Sequence, residues 1–133
     1  MQRQNLGEQI QTANWETEKH VPVIECDNAV ERNIPFDVTI TLGKNVAHPN
    51  TTEHHIRWLS LYFKPHDEKA TYQVAHYELG GHGESPRGAN EGPVHTAHTV
   101  VARVALSSPG TLHALALCNI HGLWESAKEI QVG

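Results

Sequence analysis

The chain is predicted to be all-β, an antiparallel sandwich of about seven short strands. Apolar residues alternate with polar ones at a period of two, most clearly between Pro35 and Leu42. Clusters of Gly, Pro and Asn break these runs at short intervals, and no helical stripe of useful length occurs. With 133 residues, 38% of them hydrophobic, the chain fits one globular domain over 1–133 with a real core.

Residues 1–14 are polar and without periodicity, and read as an arm lying on the surface with Trp15 anchoring its end. Glu16 to Glu25 is a charged loop entering a short strand, in which Pro22 forces His20-Val21 away from helical geometry. In the strand Pro35–Leu42, Phe36, Val38, Ile40 and Leu42 share one face and Asp37, Thr39 and Thr41 the other. Gly43 to Thr52 is a loop by its Gly, Pro and Asn content, and Glu53-His54-His55 leads from it into a strand ending at Phe63. Adjacent strand residues face opposite sides, so at most one of His54 and His55 points at any one site. Thr71–Leu79 is a further strand, Gly80–Gly88 a connection, and Val94–Leu106 one long or two short strands. Leu112–Leu117 leads to a tight turn at Cys118-Asn119-Ile120-His121-Gly122, and Leu123–Val132 closes the domain.

Ten Lys and Arg against fifteen Asp and Glu give a net charge of -5, which lacks the basic footprint of a nucleic-acid binder. An anionic small substrate would need locally placed positive charge. The first five residues contain no apolar leader, and no run is long enough to span a bilayer, so the expectation is a soluble, cytoplasmic protein without membrane contact. Two cysteines, Cys26 and Cys118, make no disulfide framework, which suits a reducing compartment.

Cys118 and His121 set a thiolate and an imidazole three residues apart. Alone, that spacing is equally that of an ordinary turn with a buried thiol. Eleven histidines are available as partners. Four of them lie in or beside loops with strong turn residues: His20 before Val-Pro, His48 before Pro-Asn, His54 ending the same loop, and His121 before Gly122. With Cys118 they form a His4Cys set, too rich for four-coordinate structural zinc, of donors that suit iron, copper or zinc.

Three blocks carry a resemblance: Glu18-Lys19-His20-Val21-Pro22-Val23-Ile24-Glu25, His48-Pro49-Asn50-Thr51-Thr52-Glu53-His54-His55-Ile56 and Cys118-Asn119-Ile120-His121-Gly122-Leu123-Trp124-Glu125. In order and spacing they resemble the signature blocks of superoxide reductase, most closely its one-iron form, neelaredoxin. The resemblance implies an immunoglobulin-like β-sandwich whose loops hold one iron, with His20, His48, His54 and His121 equatorial and the Cys118 thiolate axial. Glu18 matches the carboxylate that fills the sixth position in the oxidised resting state, and Lys19 the cation beside the open position. The implied activity is one-electron reduction of superoxide to hydrogen peroxide, with a trans thiolate pushing electron density onto the iron as in haem sites. Rubredoxin as electron donor and a homotetramer are implied in the same way. The two-iron relatives, desulfoferrodoxins, add an N-terminal cysteine-ligated domain; this chain has no C-x-x-C, and its polar arm stands in that place. The tract from Lys64 to Gly92 and the pair His95 and His98 depart from the family pattern.

The rival class is a blue-copper-like electron carrier, another small β-sandwich with a late Cys and His. Such a site uses two histidines, one cysteine and usually an axial Met. The only Met here is Met1, and two histidines are in excess. A hydrolytic zinc site is a poorer match, because a thiolate beside four imidazoles leaves little Lewis acidity.

Overall fold

A computed structural model describes residues 5–133. Eight strands form two sheets, one of three strands in the order β1 (Val23–Glu25), β3 (Phe36–Thr41), β6 (Thr99–Val104). The other has five, in the order β2 (Ala29–Val30), β8 (Gly122–Val132), β7 (Gly110–Cys118), β4 (Ile56–Pro65), β5 (Tyr72–Glu78). All pairings are antiparallel except β2 with β8, where Ala29 lies beside Gln131 in a parallel register.

The period-two patterns make the core. Val38 and Ile40 of β3 and Ala102 and Val104 of β6 turn inward from the small sheet. Leu59 and Leu61 of β4, Leu112, Ala114 and Ala116 of β7, and Ile130 of β8 meet them from the large one. Leu59 and Leu61 have no exposed surface, so truncating either to Ala costs roughly 2–5 kcal/mol.

The polar arm contains one turn of helix, α1 (Leu6–Gln9), and then docks on β8. Gln11 N donates to Leu123 O at 3.1 Å and Gln11 O accepts from Glu125 N at 2.9 Å. Residues 1–4 of the expected arm lie outside the described residues.

The stretch Val94–Leu106 yields only the strand β6; residues before it pair with the Gly80–Gly83 segment instead, through Gly83 N to Val94 O and Thr96 N to Gly81 O. The register aligns the ends of five strands in two sets, β1 with β3 and β4 with β7 and β8. Val23 lies opposite Thr41, Ile56 opposite Cys118, and Cys118 opposite Gly122. A bulge in β4 between Ile56 and Trp58 sits beside this end, a device that re-aims side chains near functional sites.

Candidate metal centre

Cys118 is the last residue of β7 and 1% exposed. The chain then turns over Asn119 and Ile120 and re-enters the sheet at Gly122, whose φ of 79° is the left-handed backbone glycine tolerates best. The turn brings the His121 backbone N to within 3.4 Å of Cys118 Sγ, so that its N–H donates to the sulfur. The His121 ring folds back as well, with Nδ1 3.8 Å from the sulfur.

His20 precedes β1, and its buried ring reaches the same point. His20 Nε2 is 3.1 Å from His121 Nδ1, and His54 Nε2, from the loop before β4, is 3.2 Å from that nitrogen. The ligand atoms of His20, His54, Cys118 and His121 all lie within 4.8 Å of one another. His48 is outside that group of four but closes the ring, its imidazole centred 4.9 Å from His20 and 4.8 Å from His54. Gly43 makes its placement possible: a Cβ there would stand 2.7 Å from His48 N.

The far nitrogens are anchored. Glu18 Oε1 accepts from His20 Nδ1 at 2.7 Å, and Pro49 O accepts from His48 Nδ1 at 2.6 Å. Each bond fixes a tautomer whose Nε2 carries a free lone pair toward the cluster, as in histidine metal ligands. The hydrogen bond from His20 holds the Glu18 carboxyl below its usual range, against a smaller opposing effect of burial. Burial pushes His48 down to about 4 and lowers His54, the latter helped by the neighbouring His121.

The donor set fits a metal ion. His48 Nε2 is buried without a hydrogen-bond partner among the described residues, a costly state that a cation relieves. Two nitrogens each about 2.1 Å from one ion and at right angles are about 3.0 Å apart, close to the two spacings across His121.

Glu18 and Lys19 are both half-buried on the loop leading to His20. Glu18 is engaged with His20, accepting also from its backbone N–H at 3.1 Å, and is not among the converging donors. His54 and His55 face opposite ways. His55 is buried in a parallel stack on His82, ring centres 3.5 Å apart, with Nδ1 donating to Thr51 O at 2.9 Å. His98 packs edge-on against His48 at 5.4 Å.

The family profile described as desulfoferrodoxin matches residues 12–127. The chain belongs to the desulfoferrodoxin family. It is 56% identical to neelaredoxin of Megalodesulfovibrio gigas over 125 residues, 94% of this chain and 96% of that one. It is 45% identical to superoxide reductase of Pyrococcus furiosus, covering 91% of this chain and 95% of the other. The solved structure of the superoxide reductase (neelaredoxin) of Archaeoglobus fulgidus in its reduced form superposes with a TM-score of 0.85 at 42% identity, covering 92% and 98% of the two chains. The family binds iron, the converging donors are a set able to hold a metal ion, and the sandwich is the fold its structural neighbours share.

Two residues that the motif reading passed over also shape the centre. Asn119 ties the Cys118 turn to the His54 loop, its Oδ1 accepting from His55 N at 2.8 Å and its Nδ2 donating to Glu53 O at 2.9 Å. Trp124, 9% exposed, stacks on His20 at 4.9 Å and 15°, and its Nε1 donates to His121 O at 3.2 Å. Position gave a signal for each, since one lies inside the C-x-x-H turn and the other opens the strand after it.

Proposed function

We propose that this chain is a superoxide reductase, an oxidoreductase that adds one electron and two protons to superoxide to give hydrogen peroxide. The observation that carries the reading is the convergence of the His20, His54, His121 and Cys118 donor atoms within 4.8 Å, with a partnerless His48 Nε2 beside them. His20, His48, His54, His121 and Cys118 would hold the iron in a single iron-binding domain, with the Cys118 sulfur supplying electron density to it.

Bound iron supplies the one-electron exchange, between ferrous and ferric, and an open position at which the anion can be met. The protein does the rest. Cys118 is sealed from solvent and its sulfur accepts the His121 N–H, which fixes its place beside the histidine nitrogens. Glu18 and Pro49 O hold the His20 and His48 tautomers, so no proton has to leave those nitrogens when the site is filled. Lys19 is the local cation that draws superoxide to a chain of net charge -5. Glu18, one residue earlier, would supply a carboxylate to the iron of the oxidised resting protein in place of its hydrogen bond to His20.

A small electron-transfer protein of the rubredoxin kind restores the ferrous state, and the chain works as a cytoplasmic homotetramer. The family resemblance supports both readings, and among the described residues no helix is long and apolar enough to cross a membrane. The blue-copper alternative leaves two of the four imidazoles without a task.

Metal analysis of the native protein, spectra of its oxidised form and pulse radiolysis with superoxide test the proposal together. One iron per chain, a thiolate-to-iron charge-transfer band and a second-order reaction yielding peroxide are expected. Copper as the native metal, or iron without reaction, would overturn it.

A further inference from the structure

The segment Pro49–Glu53 joins two of the assigned ligands, so whatever fixes it fixes both His48 and His54. Thr51 bonds locally to His54 and His55. The other anchors come mostly from residues 80–96, of which Gly80–Gly88 reads from the sequence as a connection and the stretch from Val94 as strand.

Asn90 makes the closest set of contacts. Its Oδ1 accepts from Thr52 N at 2.8 Å, and its own N–H donates to Thr52 Oγ1 at 3.1 Å. The Asn90 Nδ2 reaches both carboxylate oxygens of Glu53, at 3.2 and 3.0 Å. Asn90 sits at φ 65°, a left-handed conformation that Asn adopts more readily than most residues. The Thr52 hydroxyl also donates to His82 O at 3.0 Å. One turn earlier, Asn50 Nδ2 donates to Thr96 O at 2.9 Å, while Asn50 Oδ1 lies 3.0 Å from His82 Nδ1. His82 is 4% exposed, and its Nε2 donates to Leu79 O at 2.6 Å at the end of β5, so its ring rests on the sheet. The tract is itself a ladder, held by Gly83 N to Val94 O, Gly92 N to Gly83 O and Thr96 N to Gly81 O.

We infer that Asn90, His82 and Thr96 are positioning residues for the metal centre, holding the Pro49–Glu53 segment so that His48 and His54 present Nε2 at fixed separation before metal arrives. They touch no ligand. They act by removing the freedom of a loop that would otherwise have to be ordered on binding, so their loss should appear in the hold on metal and in the electronic signature of the ion. Groups one step removed from a metal typically change its affinity by about 10–100-fold when mutated. The inference rests on the assignment of His48 and His54 as ligands.

The test uses the full chain loaded with iron. The rate of iron loss to an excess of chelator and the ferric charge-transfer spectrum are compared in the wild type, Asn90→Ala, Asn90→Asp, Thr52→Val, Ser85→Ala and His54→Ala. Asn90→Ala is expected to release iron about tenfold faster with a shifted band. Asn90→Asp keeps the acceptor for Thr52 N but sets a carboxylate against Glu53, so it should fall between Asn90→Ala and the wild type. Thr52→Val removes the hydroxyl that bonds Asn90 N and His82 O while keeping the backbone bond to Asn90 Oδ1, and carries the test should Asn90→Ala not fold. Ser85→Ala, which loses a hydrogen bond from Arg87 N within the tract, should behave as wild type. In the metal-free protein, hydrogen exchange at Thr52 and His54 should quicken in Asn90→Ala. Wild-type iron release and spectrum in both Asn90→Ala and Thr52→Val, or equal loss in Ser85→Ala, would overturn the inference. Iron retained by His54→Ala would instead overturn the ligand assignment beneath it.

Discussion

Two groups of clustered histidines lie within one loop of each other and differ in what their nitrogens meet. In the stack of His55 on His82, an oxygen faces each nitrogen that bonds: Thr51 O, Leu79 O and Asn50 Oδ1. Around Cys118, nitrogens face nitrogens, His20 Nε2 and His54 Nε2 both turning to His121 Nδ1, while His48 Nε2 meets nothing. In the first group the histidine N–H groups are answered by backbone oxygens, as ordinary packing requires. The second is complete only with a cation, because lone pairs brought to about 3 Å without a shared proton or metal repel in a low-dielectric site. His20 and His48 show the contrast most plainly, each with an anchored far nitrogen and an Nε2 turned toward the cluster.

The sharpest way to break that contrast is at its sulfur. Cys118→Ser keeps a small buried side chain and the turn, but a hydroxyl cannot supply thiolate donation. The reaction with superoxide should fall by at least about a hundredfold, ~2.7 kcal/mol in the barrier, with the β-sheet circular dichroism retained. Activity retained with iron bound would remove Cys118 as the axial ligand.

The paired variants His54→Ala and His55→Ala test the two groups directly. His54→Ala should empty or loosen the centre, whereas His55→Ala should keep one iron per chain while losing roughly 1–3 kcal/mol of stability from the broken stack. Iron analysis and thermal unfolding on the same samples decide it. Equal iron loss in the two would mean the strand facing at the start of β4 is reversed.

A smaller effect is expected from Lys19, which contributes charge rather than ligation. A unit charge about 6 Å from an incoming anion, at an effective dielectric of about 20, is worth on the order of 1 to 3 kcal/mol before salt screens it. Lys19 is half-exposed, so the lower part of that range applies. Lys19→Ala should slow the bimolecular reaction about tenfold and flatten its dependence on ionic strength; a wild-type rate and salt slope would reduce the loop's charge to a solvated surface. Smallest of all should be the change in encounter rate for Glu18→Ala, as fast as wild type or faster by pulse radiolysis. Its mark should fall on the ferric resting spectrum, and an unchanged spectrum would argue that Glu18 does no more than hold His20.

The alternation that predicts the strand Pro35–Leu42 is met by β3 at Phe36–Thr41, and the apolar run Leu112–Leu117 by β7. Both patterns are local consequences of one buried face. Val94–Leu106 was less legible, because residues up to Thr96 pair with Gly81 and Gly83 rather than with the sheet, and a strand-like composition does not say which partner is taken. The parallel contact of β2 with β8 is two residues long and leaves no periodicity to read. At the centre, the donors were legible from residue type and turn context. Asn90 was not, since it works through Thr52 and Glu53, brought close only by the tertiary fold, while Asn119 and Trp124 stood inside the third block with nothing local to show the partners they take.

Trp124 has a spectroscopic consequence. Its indole lies flat against His20 and is bonded to the His121 carbonyl, so it shares a surface with one assigned ligand and a hydrogen bond with another. The other two tryptophans are placed differently, Trp15 beneath the Lys44 ammonium and Trp58 beside His76. An open-shell ion held by those imidazoles would drain the excited state of Trp124 before it could emit, and its emission would dim as the centre fills. The protein thus carries its own optical gauge of occupancy, which a Trp124→Phe chain would lack.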